Sequence, residues 1–195
     1  MKASFVLFVL SLACLCMQGC SSSYAKTGEG KGKNTPDGCL EISFRFQRGG
    51  IASSQYAIWI ENEDGKLVRT VYATSFTVKG GYEYRKDALP VWVEKAHPQS
   101  MTSKQVDAMT GATPHTGVLT YTWDGTDDNG NRVPAGTYNF FVEGTLYWKS
   151  RVIYSGELVW GGAQQYSIPV KARHFSPSSV NENMITGLKA CYIIK

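Results

Sequence analysis

The sequence predicts an all-β protein, an Ig-like antiparallel β-sandwich with one short helix near residues 103–109. Short runs rich in Val, Ile, Thr, Tyr, Phe and Trp recur along the chain and are separated by Gly, Asn and Asp. Apolar and polar residues alternate within these runs, which gives each strand one face suited to a core. Two long runs within 137–160 carry matching apolar faces, and such a pair favours an antiparallel sandwich over a parallel sheet.

The first nineteen residues have the pattern of a signal peptide. Lys2 is followed by an apolar run that is shorter than the ~18 residues expected of a membrane span. The run ends in a small residue before Cys20, and this resembles the lipobox of bacterial lipoproteins, in which the cysteine is acylated. Cleavage before Cys14 is the rival, but it would leave an apolar stub on the mature chain. We predict a lipoprotein signal peptide at 1–19 and lipidation at Cys20, hence an exported periplasmic or cell-surface protein anchored in the membrane by its lipid.

The rest of the chain divides into a tether and one domain. Residues 20–38 are mostly Ser, Gly, Lys and Thr, which predicts a flexible tether. Residues 39–195 have the length of a single β-sandwich domain. The formal net charge is +4 and the basic residues are scattered, so the composition gives no reason to expect nucleic acid as a partner.

Two cysteines stand at the two ends of this domain. In an oxidising compartment Cys39 and Cys191 are suited to a disulfide between the first and last strands. The alternative is a pair of small buried residues without a bond. The sequence leaves both interpretations open.

One segment departs from the β pattern. Thr102, with a glutamine three residues later, has the spacing of a capping box, and Gly111 is typical of a helix stop. We therefore expect a helix at 103–109. This places Asp107 on the helix and Thr113 in an exposed loop after it, where functional residues are common.

The stretch from Asp107 to Thr113 resembles the acceptor motif on which exported bacterial proteins receive a phosphoester-linked flavin mononucleotide (FMN). The resemblance implies Thr113 as the acceptor and a flavin transferase as a partner. Asp107 and Thr110 match the upstream acid and the Ser/Thr position. Gly111 and Ala112 are small enough to enter the cleft of a transferase. The alternative is a structural turn that closes a helix.

A broader resemblance involves segments that occur in a fixed order. It is carried by the segments 56–70, 79–95, 106–117 and 151–158 together with the Trp-Asp-Gly turn at 123–125. They resemble the predicted periplasmic family with domain of unknown function 2271. The turn and the residues that follow it also resemble the Ig-like hairpin of flagellar hook-capping proteins.

Members of that family tend to belong to bacterial systems that use extracytoplasmic flavins and haem-linked membrane reductases. The resemblance implies the same setting for this chain. We therefore predict a non-enzymatic lipoprotein module that is accessory to such a redox system, with membrane redox proteins as partners. Two alternatives remain open. One is an electron carrier with covalent FMN on Thr113, and the other is an extracellular binding or assembly module without a redox role.

Other side chains give weaker indications. Trp92 follows a proline near the expected helix and is the aromatic ring that we would choose as a ligand platform. The spacing of Glu143 and Glu157 is typical of solvent-facing strand residues. The three histidines lack the spacing of metal ligands, and no nucleophile signature is present, so we predict neither a metal site nor catalysis.

Overall fold

The structure, a computed structural model, describes residues 38–49, 54–111 and 114–194. Within these ranges two β-sheets enclose one apolar core, which confirms the predicted all-β sandwich. The predicted signal peptide, Cys20 and all but the last residue of the predicted tether lie outside the described residues. The strands are β1 Gly38–Phe46, β2 Gln55–Asn62, β3 Leu67–Thr74, β4 Thr110–Gly111, β5 Gly117–Trp123, β6 Gly136–Tyr147, β7 Ser150–Trp160, β8 Tyr166–Ile168, β9 Lys171–Phe175 and β10 Ile185–Ile194.

The two sheets differ in size. In the described chain the smaller sheet has the strand order β5-β1-β10-β8 and the larger one has the order β4-β3-β2-β6-β7-β9. Neighbouring strands are antiparallel, with the exception of the short β4, which pairs with β3 in parallel. The strand β9 therefore lies at one edge of the larger sheet.

Strand β1 shows how alternation forms the core. Leu40, Ile42, Phe44 and Phe46 are each at most 1% exposed, whereas Arg45 on the other face is exposed. These four residues pack against the inner face of the larger sheet, as the alternating sequence predicts.

The turns follow the sequence only in part. The pair Asp64-Gly65 is typical of a tight turn, and Gly65 between β2 and β3 has the positive φ of 73° that such a turn requires. Trp148 and Lys149 form the turn between β6 and β7, and Trp148 is 63% exposed. The Trp-Asp-Gly loop contains a small antiparallel bridge between Thr126 and Arg132, but it does not pair β5 with β6. It connects β5 of the smaller sheet to β6 of the larger one, so it crosses between the two layers.

A layer of short helices covers part of the outer face of the larger sheet. The predicted helix is confirmed as α3, and its capping box is formed by Thr102 and Gln105. The sequence did not indicate the rest of the layer. It comprises the helical turns Thr77–Gly81 and Pro98–Ser100 and the helices α1 Tyr82–Tyr84 and α2 Pro90–Ala96, in addition to α3 Ser103–Met109.

Gly111 has a different role from the predicted glycine stop. Helix α3 ends at Met109, and Thr110 and Gly111 continue as the extended strand β4. Gly111 is not among the described glycines with positive φ. A Cβ at this position would lie 2.9 Å from Cε2 of Tyr72. The glycine is therefore explained by its close approach to an aromatic ring.

Candidate anion-binding groove

The helical layer packs on the sheet through a second apolar cluster. Trp59 of β2 and Trp92 of α2 are both fully buried in it. The indole N–H of Trp92 donates to Oγ1 of Thr70 at 3.2 Å. Trp92, expected as a ligand platform, is therefore a packing residue that presents no ring to solvent.

Glu143 is fully buried beneath the start of α2, in contrast to the solvent-facing position expected from its spacing. Its carboxylate accepts the backbone N–H of Trp92 at 2.9 Å and that of Val91 at 3.4 Å. Nη1 of Arg151 lies 3.0 Å from Oε1. Burial raises the pKa of Glu143 above its ordinary value, although the two amides and the guanidinium act in the opposite direction.

A second carboxylate holds the other end of α2. Oε1 of Glu61 accepts the indole N–H of Trp59 at 2.8 Å, and Oε2 lies 3.2 Å from Nζ of Lys95. Lys95 also donates to the carbonyl of Gly65 at 2.7 Å. Glu61 and Glu143 thus fix α2 on the sheet at two points, and each is neutralised by one cation.

Between α2 and β9 the outer face of the larger sheet stays open and forms a groove of about 500 Å³. Its volume falls within the range of small-ligand sites. Phe141 and Ile153, both half-buried, form an apolar floor. The walls are formed by Val91 and Lys95 of α2 and by Lys171, Arg173 and Phe175 of β9.

Strand β9 places unneutralised positive charge on this groove. Its register sets Lys171 opposite Ser155 and Arg173 opposite Ile153. Both cations are exposed, and neither has an ion-pair partner among the described residues. The guanidinium carbons of Arg173 and Arg151 lie 4.7 Å and 4.2 Å from the ring centre of Phe175, which holds these cations at the aromatic wall.

A tyrosine cluster lies inside the sandwich near β4. The ring of Tyr72 has its centre 5.0 Å from that of Tyr56 and 5.0 Å from that of Tyr121. The hydroxyls of Tyr56 and Tyr121 are hydrogen-bonded to each other, and that of Tyr72 lies 3.4 Å from the carbonyl oxygen of Gly111. Burial raises the pKa of Tyr121 to about 12 and that of Tyr56 well above its ordinary value.

The flavin-acceptor stretch is only partly described. Asp107 is exposed on the last turn of α3, and Thr110 and Gly111 are half-buried in β4. Thr113 and Ala112 lie outside the described residues. The acceptor assignment therefore stays a prediction.

Cys39 and Cys191 lie on the adjacent strands β1 and β10, and both are buried. Cys39 stands opposite Ile193 and Cys191 opposite Glu41, so the two cysteines share one face but lie diagonally. The disulfide between them stays a prediction.

The histidines are dispersed. His97 follows α2, His115 precedes β5 and His174 lies on β9, and all three are exposed. Across 38–49, 54–111 and 114–194, no group of three His, Cys, Asp or Glu residues is placed to hold a metal ion. Within the same ranges no helix is long and apolar enough to span a membrane.

Sequence reasoning missed the groove. Its cations come from the short run Lys171-Ala-Arg-His-Phe175, whose alternation of basic and other residues was the available signal. That signal is weak, because charged residues are common on edge strands. Only the pairing of β9 with β7 places these cations beside Phe141 and Ile153.

Comparisons with known proteins agree with the resemblance seen in the sequence. Two crystal structures of truncated FlgD from Helicobacter pylori match with a TM-score of 0.34 and 15% identity. The match covers 80% of this chain and 84% of that chain in the first, and 79% and 83% in the second, and similarity at this level supports no statement about function. No curated protein matches the chain significantly. The model of the DUF2271 family, described as predicted periplasmic proteins, matches residues 40–176, and the protein therefore belongs to this family.

Proposed function

We propose that this protein is a non-enzymatic binding module of the cell envelope and that its ligand surface is the cationic groove between α2 and β9. Lys171 and Arg173 carry the proposal. Both are exposed beside an apolar floor, and neither is neutralised by an acid in the described part of the chain. Membership in a family of predicted periplasmic proteins supports a ligand met outside the cytoplasm.

The groove suits an anionic ligand with an apolar body. The pairs Glu61–Lys95 and Glu143–Arg151 are internally neutral, so the net positive charge of this face comes from β9. Phe141 would supply apolar contact, and the two free cations would orient an acidic group. At a partly exposed site such charges contribute to orientation and association rate more than to affinity.

The fluorescent anion 1-anilinonaphthalene-8-sulfonate tests this proposal, since it joins a sulfonate to an aromatic body. We expect saturable binding to the folded protein and at least tenfold weaker binding to the Lys171→Glu/Arg173→Glu variant, a loss of about 1.4 kcal/mol. The matched control is Lys104→Glu/Lys189→Glu, which changes the net charge equally at two exposed residues on α3 and β10. Equal binding by the two variants would contradict the proposal.

The lipid anchor and the redox setting belong to the same proposal and rest on the sequence. A lipid on Cys20 would hold the module at a membrane, where haem-bearing or reductase proteins are the expected partners. The Cys20→Ala variant is expected to move from the membrane fraction to the soluble fraction. Recovery of a haem-bearing protein with the wild-type chain and not with Lys171→Glu/Arg173→Glu would support the accessory role. Its absence from both would contradict that role.

We propose covalent FMN on Thr113 as a second candidate function. It is favoured by the surroundings of the acceptor stretch, because Asp107 before it and His115 and Thr116 after it are all exposed. A transferase would thus meet exposed residues before β4 and after Pro114, whereas Thr110, Gly111 and Pro114 are half-buried. The groove and this stretch are separate surfaces, so the two candidates are tested independently.

Co-expression with a flavin transferase, followed by in-gel flavin fluorescence and intact mass, tests the carrier. A fluorescent band, together with an increase in chain mass that corresponds to one phosphoester-linked FMN, would support it. Both signals should be lost in Thr113→Ala and kept in Thr116→Ala. Thr116 is the matched control because it supplies an exposed hydroxyl three residues away. A chain of unmodified mass after co-expression would overturn it.

A further inference from the structure

We propose that the natural occupant of the groove is an extended acidic segment of a partner protein, which adds to the edge of β9 as a further strand. This inference rests on the proposed function and names the class of its ligand. It combines two observations, the free edge of β9 and the alternation of charge along that strand.

Strand β9 has a regular and open edge. Its five residues pair with β7 in unbroken register, from Arg151 opposite Phe175 to Ser155 opposite Lys171. No described strand pairs with its other side. The strand contains no proline, and Lys171 to His174 are exposed. The N–H and C=O groups of such an edge are a template for an added strand.

The other edge of the same sheet is poorly suited to pairing with an added strand. Strand β4 consists of Thr110 and Gly111 alone, and a very short edge strand offers few groups for pairing. Within the larger sheet, β9 is therefore the edge that can accept a partner.

The side chains of β9 determine which charge the partner strand should carry. Lys171, Arg173 and Phe175 share the face that lines the groove. Residues of an added strand would stand about 5 Å from them, so acids at alternate positions would pair with the two cations. In a strand that runs parallel to β9, an apolar residue two positions after the second acid would meet Phe175.

The surrounding charges leave this preference intact. Arg151 already pairs with Glu143, and Lys95 already pairs with Glu61. The exposed acid Glu157 lies on β7 beyond Ser155, the last residue that β9 pairs. An incoming acidic strand would thus meet β9 before any other charge of this face.

The same charges disfavour self-association through this edge. Two copies of β9 side by side would bring their cations together, and like charges at directly opposed positions are destabilising. Basic edge strands commonly prevent pairing between identical chains. An acidic strand reverses that repulsion, which is why a second copy of this chain is not the occupant that we propose.

The blocked peptide EVEVF tests the inference, with hydrogen exchange on the full mature chain as the readout. We expect binding that slows the exchange of β9 amides that do not pair with β7. Binding should weaken at least tenfold for the peptide KVKVF, for EVEVF with N-methylated alternate amides, and for Lys171→Glu/Arg173→Glu. The variant Lys104→Glu/Lys189→Glu should bind as the wild type does.

The outcomes separate the two proposals. Binding of EVEVF that tolerates N-methylation and leaves the β9 amides unprotected would overturn strand addition. Binding of 1-anilinonaphthalene-8-sulfonate with no binding of EVEVF would overturn strand addition and leave the groove as a small-ligand site. If the wild-type chain bound neither 1-anilinonaphthalene-8-sulfonate nor EVEVF, the proposal that the groove is a ligand site would be overturned.

Discussion

Among single residues, Glu143 has the largest influence on how the groove is built. It is an acid on a strand of the larger sheet, yet it accepts two amide N–H groups from the start of α2 and pairs with Arg151. A carboxylate at a helix N-terminus is favourable, because the free N–H groups point toward it. One side chain therefore positions both the helix that forms one wall of the groove and an arginine that contacts Phe175 of the other wall.

Removing this carboxylate should be costly. The Glu143→Ala variant leaves the Arg151 guanidinium and the Trp92 amide without their acceptor, and breaking a buried ion pair from one side costs about 3–5 kcal/mol. Urea unfolding measures the loss. Glu157→Ala, an exposed acid on β7, is the control and should change the free energy of unfolding by no more than about 0.5 kcal/mol. Equal stabilities for the two variants would contradict this role of Glu143.

The tyrosine cluster predicts a loss of stability in alkali. The pKa of Tyr121 in the folded state is raised from 10.0 to about 12, and that of Tyr56 is also raised, so the unfolded chain ionises first as the pH rises. This contribution is fully present below pH 10.0 and decreases as the pH approaches the folded-state value near 12. Urea unfolding in this range, with phenolate absorbance as a second readout, measures the fall.

Replacing one phenol separates this effect from general alkaline damage. The Tyr121→Phe variant should show a shallower decrease of stability with pH over the same range. The control Tyr84→Phe alters a tyrosine that is 91% exposed and should leave the slope unchanged. An identical slope in wild type and Tyr121→Phe would show that the pKa of Tyr121 is not raised in the folded protein.

The residues that the sequence misplaced share a physical cause. Glu143 has the parity of an outward strand residue, and outward usually means solvent in a two-layer sandwich. Here a third layer covers that face, so Glu143 is buried and Trp92 packs inside. Leu40 and Phe44 obeyed the simple alternation because their face meets only the opposite sheet.

At the scale of elements, β4 places Gly111 of the acceptor-like stretch against Tyr72. Gly111 passes so close to Tyr72 that a side chain there would collide with its ring. That contact accounts for the glycine without any flavin. It leaves Thr113 as the residue on which the carrier hypothesis depends.

Gly111→Ala should therefore destabilise the protein by about 1–3 kcal/mol, the usual cost of overpacking. Its matched control is Gly117→Ala, because a Cβ at Gly117 would meet nothing within 4 Å. Thermal or urea unfolding of the unmodified chain measures both. A Gly111→Ala variant as stable as Gly117→Ala would mean that the close approach to Tyr72 is not what requires glycine.

The elements differ in how far local sequence specifies them. The capping box at Thr102 and Gln105 is a local signal that predicted α3 correctly, and the pair Asp64-Gly65 is a local sequence typical of the turn observed there. Helix α2 contains Val91 and Val93, which are typical of strands, and its N-cap residue Leu89 makes no capping hydrogen bond with its side chain. Its N-terminal amides bind Glu143, a residue about fifty positions away, so Pro90 at its first position is the main local signal of this helix.

In the whole molecule, the groove and the acceptor stretch are separate features. Strand β1 begins at Gly38, and Phe46 at its far end lies opposite Gly117, which follows the acceptor stretch. Nine residues of strand place these ends about 26 Å apart at roughly 3.3 Å per residue. The groove lies between α2 and β9, toward the edge of the larger sheet opposite β4, which carries Thr110 and Gly111 of that stretch. A tethered chain would thus offer a ligand and a flavin transferase two different surfaces.

The most direct test of the groove is a two-dimensional amide NMR titration of the mature chain with 1-anilinonaphthalene-8-sulfonate. The proposal predicts that the shifted signals belong to α2, to β9 and to the strand segments around Phe141 and Ile153, and that Lys171→Glu/Arg173→Glu abolishes the shifts. Shifts confined to residues 107–117, or shifts that persist in this variant, would contradict it.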